Sequence, residues 1–260
     1  MDKSTRRGFL KVAGVAALGA TAKPVYDAVA RKAAPPSPAT PAEALSARRW
    51  AMVVDTRKCL REKGCTRCVD ACHEVHNVPE FNNEKDEIKW IWKEQFEHAF
   101  PNQENEFKER DLMHQDVLLL CNHCDNPPCV RVCPTQATFK RKSDGIVMMD
   151  MHRCIGCRYC MAACPYGVRS FNWRDPRPHI PDIDESFPTR MRGVVEKCNF
   201  CAERLVRGEL PACVEACESG ALVFGDLEDP ESEVRDLLDR YYSIRRKVNL
   251  GTQPSVFYLV

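Results

Sequence analysis

Sixteen cysteines in 260 residues fall into four groups of four. Group one is Cys59, Cys65, Cys68 and Cys72 in CLREKGCTRCVDAC, and group two is Cys121, Cys124, Cys129 and Cys133 in CNHCDNPPCVRVCP. Group three, CIGCRYCMAACPYG, holds Cys154, Cys157, Cys160 and Cys164. Group four is split, with Cys198 and Cys201 in CNFC and then Cys213 and Cys217 in PACVEAC. The first three groups share a skeleton: a tight run of three cysteines, three further residues, and a fourth cysteine. Group four keeps the final spacing but opens an eleven-residue loop before its third cysteine. Thiols at this density can form disulfides, hold zinc or cradle a redox cluster.

Zinc takes four ligands from two C-x2-C pairs. A third cysteine beside each pair, repeated along the chain, is surplus to a tetrahedral site. Disulfides suit an oxidising compartment, yet cysteines two residues apart are poorly placed to bond within a motif. Iron–sulfur ligation fits the spacing better. Bacterial ferredoxins use C-x2-C-x2-C-x3-C-P, with three thiolates on one [4Fe–4S] cluster and the fourth on its neighbour. The short gaps fold three sulfurs onto one cube, and the three-residue gap starts a helical turn that carries the fourth away. Pro165 and Pro134 follow the last cysteines of groups three and two; Glu218 stands at that place in group four.

Positioning these thiols requires short elements between the groups. ATFKR and IVMMD flank KSDG, an Asp-Gly turn signal, and predict the hairpin of a ferredoxin core. A second, approximate hairpin should join AMVVDT before Cys59 to ALVFGDL after Cys217. IKWIWKEQF and QDVLLL read as strands of a further sheet. In PESEVRDLLDRYYSI, the spacing of Val234, Leu237, Leu238 and Tyr241 predicts a helix. Prolines spread through residues 165–197 predict a long surface loop of the kind that touches partners. The expected fold class is α+β: two ferredoxin-like pairs of cluster-binding motifs with short β-hairpins, long loops and a C-terminal helix.

The amino terminus reads separately. Arg6 and Arg7 precede an apolar run from Gly8 to about Ala22 that ends in Ala20-Thr21-Ala22. This is an export signal of the twin-arginine type over residues 1–22, and the run is short of the roughly 20 residues that span a bilayer. An Ala/Pro-rich linker follows over 23–47, and the cluster-binding domain occupies 48–260. Cleavage at residue 22 would leave 34 basic against 36 acidic residues, from a whole-chain formal charge of +1. Neither balance suggests a nucleic-acid partner.

Other side chains could tune the site. His73, His76 and His123 should pack near clusters or hydrogen-bond to sulfur rather than ligate. Arg67, Arg131, Arg153, Arg158 and Lys197 lie close to cysteines in sequence; nearby cations favour a reduced, more negative cluster. Trp90, Trp92 and Trp173 are core aromatics or partner-facing ones. There is no nucleophile–base pair and no G-x-G-x-x-G loop, so the chain offers no substrate chemistry of its own.

With these residues in view, positions 50–260 resemble the four-cluster, ferredoxin-like electron-transfer subunits of membrane-associated oxidoreductases. Among these are the iron–sulfur subunits of dimethyl sulfoxide, polysulfide and tetrathionate reductases and of formate dehydrogenase. The motifs that carry the likeness are CNHCDNPPCVRVCPTQA, DMHRCIGCRYCMAACPYGVRSFN, GVVEKCNFCAERLVRGELPACVEAC and the terminal PSVFYLV. VVDTRKCLREKGCTRCVDACHEVHNVP further resembles DsrO-type subunits, the exported iron–sulfur component of a transmembrane complex linked to dissimilatory sulfite reduction.

The resemblance implies that motifs 59–72 pair with 198–217, and motifs 121–133 with 154–164. Cluster 1 would then be held by Cys59, Cys65, Cys68 and Cys217, and cluster 2 by Cys72, Cys198, Cys201 and Cys213. Cys121, Cys124, Cys129 and Cys164 would hold cluster 3, and Cys133, Cys154, Cys157 and Cys160 cluster 4. All are cysteine, so four [4Fe–4S] clusters are expected. Group one departs from the family with five residues between its first two cysteines; the extra loop either bulges outward or displaces Cys59. The resemblance further implies docking on the outer face of the cytoplasmic membrane. The implied partners are an integral membrane quinone-interacting subunit and a multihaem cytochrome c. A freestanding periplasmic carrier is the alternative, against which the long segments 73–120 and 165–197 argue.

Overall fold

The computed structural model describes residues 44–103 and 114–260. The expected signal, residues 1–22, and the linker up to residue 43 lie outside the described residues.

Strand β1 (Trp50–Asp55) is buried along its whole length. Its side chains alternate between two covered faces. Ala51 and Val53 pack against Val234 of the helix at Glu233–Arg240, while Trp50, Met52 and Val54 join the main core, which includes cysteines of groups one, two and four. The Asp55 carboxylate ends the strand by accepting from the N–H groups of Arg57 (3.1 Å) and Lys58 (3.3 Å). That cap starts the single turn α1 (Thr56–Cys59), which delivers the first cysteine. Next come α2 (Arg67–Val75), β2 (Ile91–Gln95), α3 (Phe96–Ala99) and β3 (Asp116–Leu120). The expected extra sheet is there, with β2 antiparallel to β3 from Ile91↔Leu120 to Gln95↔Asp116.

After the turn α4 (Pro128–Arg131), strands β4 (Thr138–Lys140) and β5 (Val147–Met149) form the predicted hairpin around KSDG. The turn α5 (Tyr159–Ala162) follows, then β6 (Ser170–Phe171) and β7 (Val195–Glu196). The surface-loop expectation for 165–197 needs correction. Both ends of the segment are buried, and they pair as Ser170↔Glu196 and Phe171↔Val195. Arg190, also buried, bridges the Glu196 carboxylate at 2.7 Å, and Trp90 Nε1 donates to the same carboxylate at 2.8 Å. The prolines mark turns, but a fully desolvated ion pair and a ladder hold the ends inside; only the middle of the segment is largely exposed.

Helices α6 (Ala202–Val206) and α7 (Ala212–Glu215) lead to β8 (Leu222–Asp226), and α8 (Glu233–Arg240) is followed by β9 (Ser243–Ile244) and β10 (Val256–Leu259). β8 runs antiparallel to β1, with Trp50↔Asp226 and Val54↔Leu222. This pairing is no isolated hairpin. β10 lies parallel to the other edge of β1, with Met52↔Val256 and Asp55↔Leu259, so the sheet order is β8-β1-β10-β9. Parallel neighbours need a long crossover; here it is the whole chain from residue 56 to residue 255, with all four cysteine groups inside it. Among the described residues no helix is long and apolar enough to cross a membrane.

Candidate metal centres

Each cysteine group is built from the same two local parts. The first is a left-handed residue immediately before the second cysteine: Gly64 (φ 72°), His123 (φ 39°), Gly156 (φ 69°) and Phe200 (φ 58°). A positive φ reverses the chain within a very short loop, so successive sulfurs turn toward one point. Glycine adopts it freely, whereas other residues meet a Cβ–carbonyl conflict. The two non-glycine residues stack on each other, His123 against Phe200, with ring centroids 3.7 Å apart. The second part is a helical turn across the final x3 spacing. Cys68 and Cys72 both lie in α2, while Cys129, Cys160 and Cys213 lie in α4, α5 and α7. The next cysteine of each group therefore stands one turn further on.

These parts bring thiols from distant groups together. Cys59, Cys65, Cys68 and Cys217 line one cavity, with Lys93, Leu118 and Leu222. Cys121, Cys124, Cys129 and Cys164 line another, with Val147, Tyr166 and Arg169. Cys72 is raised well above the ordinary thiol value by burial, then by the neighbouring thiols of Cys201, Cys198 and Cys213. Burial likewise raises Cys160, which has Cys129, Cys154 and Cys133 for thiol neighbours; Cys157 lies in the same loop. Successive cages lie within electrostatic reach of one another. Cys213 of the second feels Cys68 of the first, Cys198 feels Cys121 of the third, and Cys160 feels Cys129. The exposed residues 61–64 bulge outward, and Cys59 keeps its place beside Cys65 and Cys68.

All sixteen thiols are free. Among the described residues, the only His, Cys, Asp or Glu group with three ligand atoms within 4.8 Å of one another is His76, Cys201 and Glu203. The cysteine cages are thus more open than a zinc tetrahedron, whose sulfurs, about 2.3 Å from the ion, stand about 3.8 Å apart. A larger, sulfur-bridged group suits them. The His76 trio is a hydrogen-bonded pair against a cage: His76 Nε2 meets Glu203 Oε1 at 2.9 Å, and Nδ1 meets the Cys72 carbonyl at 2.8 Å.

Burial pushes the Cys68 thiol up to about 11 and those of Cys124 and Cys198 up to about 12. Thiols in such surroundings stay protonated at neutral pH unless a cationic centre takes the proton's place. Cys133 departs from this. Burial alone would raise it, but backbone N–H groups of Thr138, Thr135 and Ala137 and the Thr135 hydroxyl bring it below the usual thiol value. Among the described residues, six of the eight buried side-chain polar atoms without a partner belong to Arg67, Asn122, His123 and Arg169. Three of these residues adjoin cysteines in sequence and the fourth lines a cage. Five of the six atoms are donors, Asn122 Oδ1 being the acceptor, and orphaned donors gathered around thiol cages fit an anionic, sulfur-rich group.

The histidines and cations take more specific places than their sequence positions suggest. His73 Nε2 faces the Ile91 carbonyl at 3.3 Å, and His123 Nδ1 accepts from Val147 N–H at 3.1 Å. Arg67 is shared by Glu62 (3.6 Å) and Glu218 (2.9 Å), so the residue in place of a proline ties group four to group one. Lys197 is buried, donating to the carbonyls of Val147 and Cys198. Arg158 lies 4.6 Å over the Trp173 ring, which is exposed, whereas Trp90 is buried. Two cations escape sequence reading: Lys93, which donates to the Cys65 carbonyl, and Arg169. Lys93 stands 21 residues from the nearest cysteine, Cys72, and Arg169 follows Cys164 by five; no local signal marks either as facing a cage.

Small sheets, one-turn helices and four open thiol cages define a ferredoxin-like iron–sulfur protein. The 4Fe-4S dicluster domain family matches residues 117–178 and 184–227. The chain is 43% identical to the Hdr-like menaquinol oxidoreductase iron-sulfur subunit 1 of Archaeoglobus fulgidus, across 98% of this chain and 97% of that one. It is 37% identical to a tetrathionate reductase subunit of Salmonella typhimurium, across 98% of this chain and 88% of that one. With the menaquinone reductase iron-sulfur cluster-binding subunit of Nitratidesulfovibrio vulgaris it shares 36% identity, across 81% and 88%. The chain belongs to this family of iron–sulfur subunits of respiratory oxidoreductases, and it carries four [4Fe–4S] clusters.

Proposed function

We propose that this chain is the electron-relay subunit of a membrane-associated respiratory complex, without a substrate site of its own. It carries single electrons between a quinone-interacting integral membrane subunit and a second redox subunit, a multihaem cytochrome c, in dissimilatory sulfur metabolism of the DsrO type. The observation that carries the reading is the row of cages, joined through Cys68 and Cys213, Cys198 and Cys121, and Cys129 and Cys160. The relatives named for menaquinol, menaquinone and tetrathionate support the quinone and sulfur assignments. The twin-arginine segment supports placement on the outer face of the cytoplasmic membrane.

When bound, the clusters supply one-electron redox chemistry over a wide range of potentials. The chain's own tasks follow from its residues. The four cysteine sets assigned above hold the clusters, with Cys59 included. Cages two and three consist almost wholly of buried cysteines, which keep water out. Cys59, Cys65 and Cys217 at one end and Cys133, Cys154 and Cys157 at the other are only partly buried. The ends of the row therefore approach the surface, where partners can exchange electrons.

Anaerobic purification from solubilised membranes tests the reading. Sixteen iron per chain and co-purification with a quinone-reactive membrane protein are expected. Recovery solely from the soluble fraction would leave a freestanding carrier, and twelve iron would remove one cage.

A further inference from the structure

Arg169 is buried against the cage of Cys121, Cys124, Cys129 and Cys164. Its Nη1 donates to Thr138 Oγ1 at 3.1 Å, but Nε and Nη2 have no partner. A guanidinium cannot lose its charge in a protein, and a desolvated donor left open is costly. Among the described residues Arg169 forms no ion pair with a carboxylate. Lys93 and Lys197 likewise lack a carboxylate but donate to carbonyls, Lys93 to that of Cys65; of these cations only Arg169 keeps two N–H donors open. Arg67 is neutralised by Glu62 and Glu218.

We propose that Arg169 is a positioning residue for cluster 3, directing its two open N–H donors and an uncompensated positive charge at that cluster and thereby raising its reduction potential above that of the same cage without the guanidinium. Cluster 4 feels the charge more weakly. Burial alone would lower the Arg169 pKa, and the thiols of Cys129, Cys160 and Cys121 raise it, Cys160 belonging to the cluster 4 set. A unit charge held a few ångströms from a buried redox centre outweighs a factor of ten in its equilibrium constant, even at an effective dielectric of about 20.

The inference rests on the proposed ligand set for cluster 3, and potentiometric titration followed by EPR on the full, iron-loaded chain tests it. In Arg169→Gln the one-electron reduction constant of one cluster should fall at least tenfold, or 59 mV, that of cluster 4 by less, and those of clusters 1 and 2 should stay. Arg169→Lys keeps the charge but not the fork and should fall between wild type and Arg169→Gln. Full iron with four unchanged potentials in Arg169→Gln would overturn the proposal. Where Arg169→Gln loses iron, Arg169→Met is titrated in its place, and full iron with four wild-type potentials there would leave no electrostatic role. A failure of the ligand set is separable: the shifted signal would then survive in Cys164→Ser.

Discussion

Gly156 and Gly64 occupy equivalent places, each just before the second cysteine of its group, with nearly equal φ of 69° and 72°. Their surroundings differ. A Cβ on Gly64 would meet nothing within 4 Å, whereas one on Gly156 would stand 2.5 Å from the Gly193 carbonyl oxygen and 3.2 Å from the Phe171 ring. Gly64→Ala should therefore cost only the left-handed penalty, about 1–2 kcal/mol. Gly156→Ala carries the same penalty plus displacement of a backbone carbonyl. That carbonyl is not a movable side-chain end, because Gly193 N–H donates to the Asn172 carbonyl at 2.8 Å beside the β6–β7 ladder. Overpacking of this kind adds about 1–3 kcal/mol. The assay is anaerobic guanidinium bleaching of the cluster absorbance, with iron per chain measured in parallel. Gly156→Ala should bleach at clearly lower denaturant than Gly64→Ala and lose iron first from the cage containing Cys157. Indistinguishable midpoints would refute the claim that close approach, beyond φ, demands glycine at 156.

Two further outcomes follow from the cages and the buried pair. Cys164→Ser should damage cluster 3 and leave the cluster of Cys154, Cys157 and Cys160 intact in EPR; loss confined to the latter would reject the crossed ligand sets. Glu196→Gln leaves the buried Arg190 guanidinium without its counter-charge, which costs about 3–5 kcal/mol. An Arg190→Met, Glu196→Leu double variant should regain much of that in denaturant unfolding, and a Glu196→Gln stability within about 1 kcal/mol of wild type would show the pair to be unimportant.

Much of the local architecture was legible because its causes are local. KSDG marks the β4–β5 turn, and the apolar spacing of Val234, Leu237 and Leu238 marks α8. The x3 spacing appears as a helical turn in all four groups. Other features depend on neighbours far along the chain. Residues 165–197 read as surface loop because proline reports turns and not burial, while the Arg190–Glu196 pair that holds the ends inside has no sequence signature. Nothing in PSVFYLV specifies a strand parallel to β1 and antiparallel to β9. Arg169 follows Cys164 by five residues, but nothing in PYGVRS says that its guanidinium lies against the cage.

The chemistry is written in the chain alone: thiolate ligands in four sets, too many for zinc and too close for disulfides, since ligand type and short spacing are properties of a few adjacent residues. Which thiols face one another, and which cation lies open against a cage, is settled only on folding. Those are contacts between cysteine groups 21 (Cys133 to Cys154) to 158 (Cys59 to Cys217) residues apart, set by the sheets and by the burial of charge when the loops close.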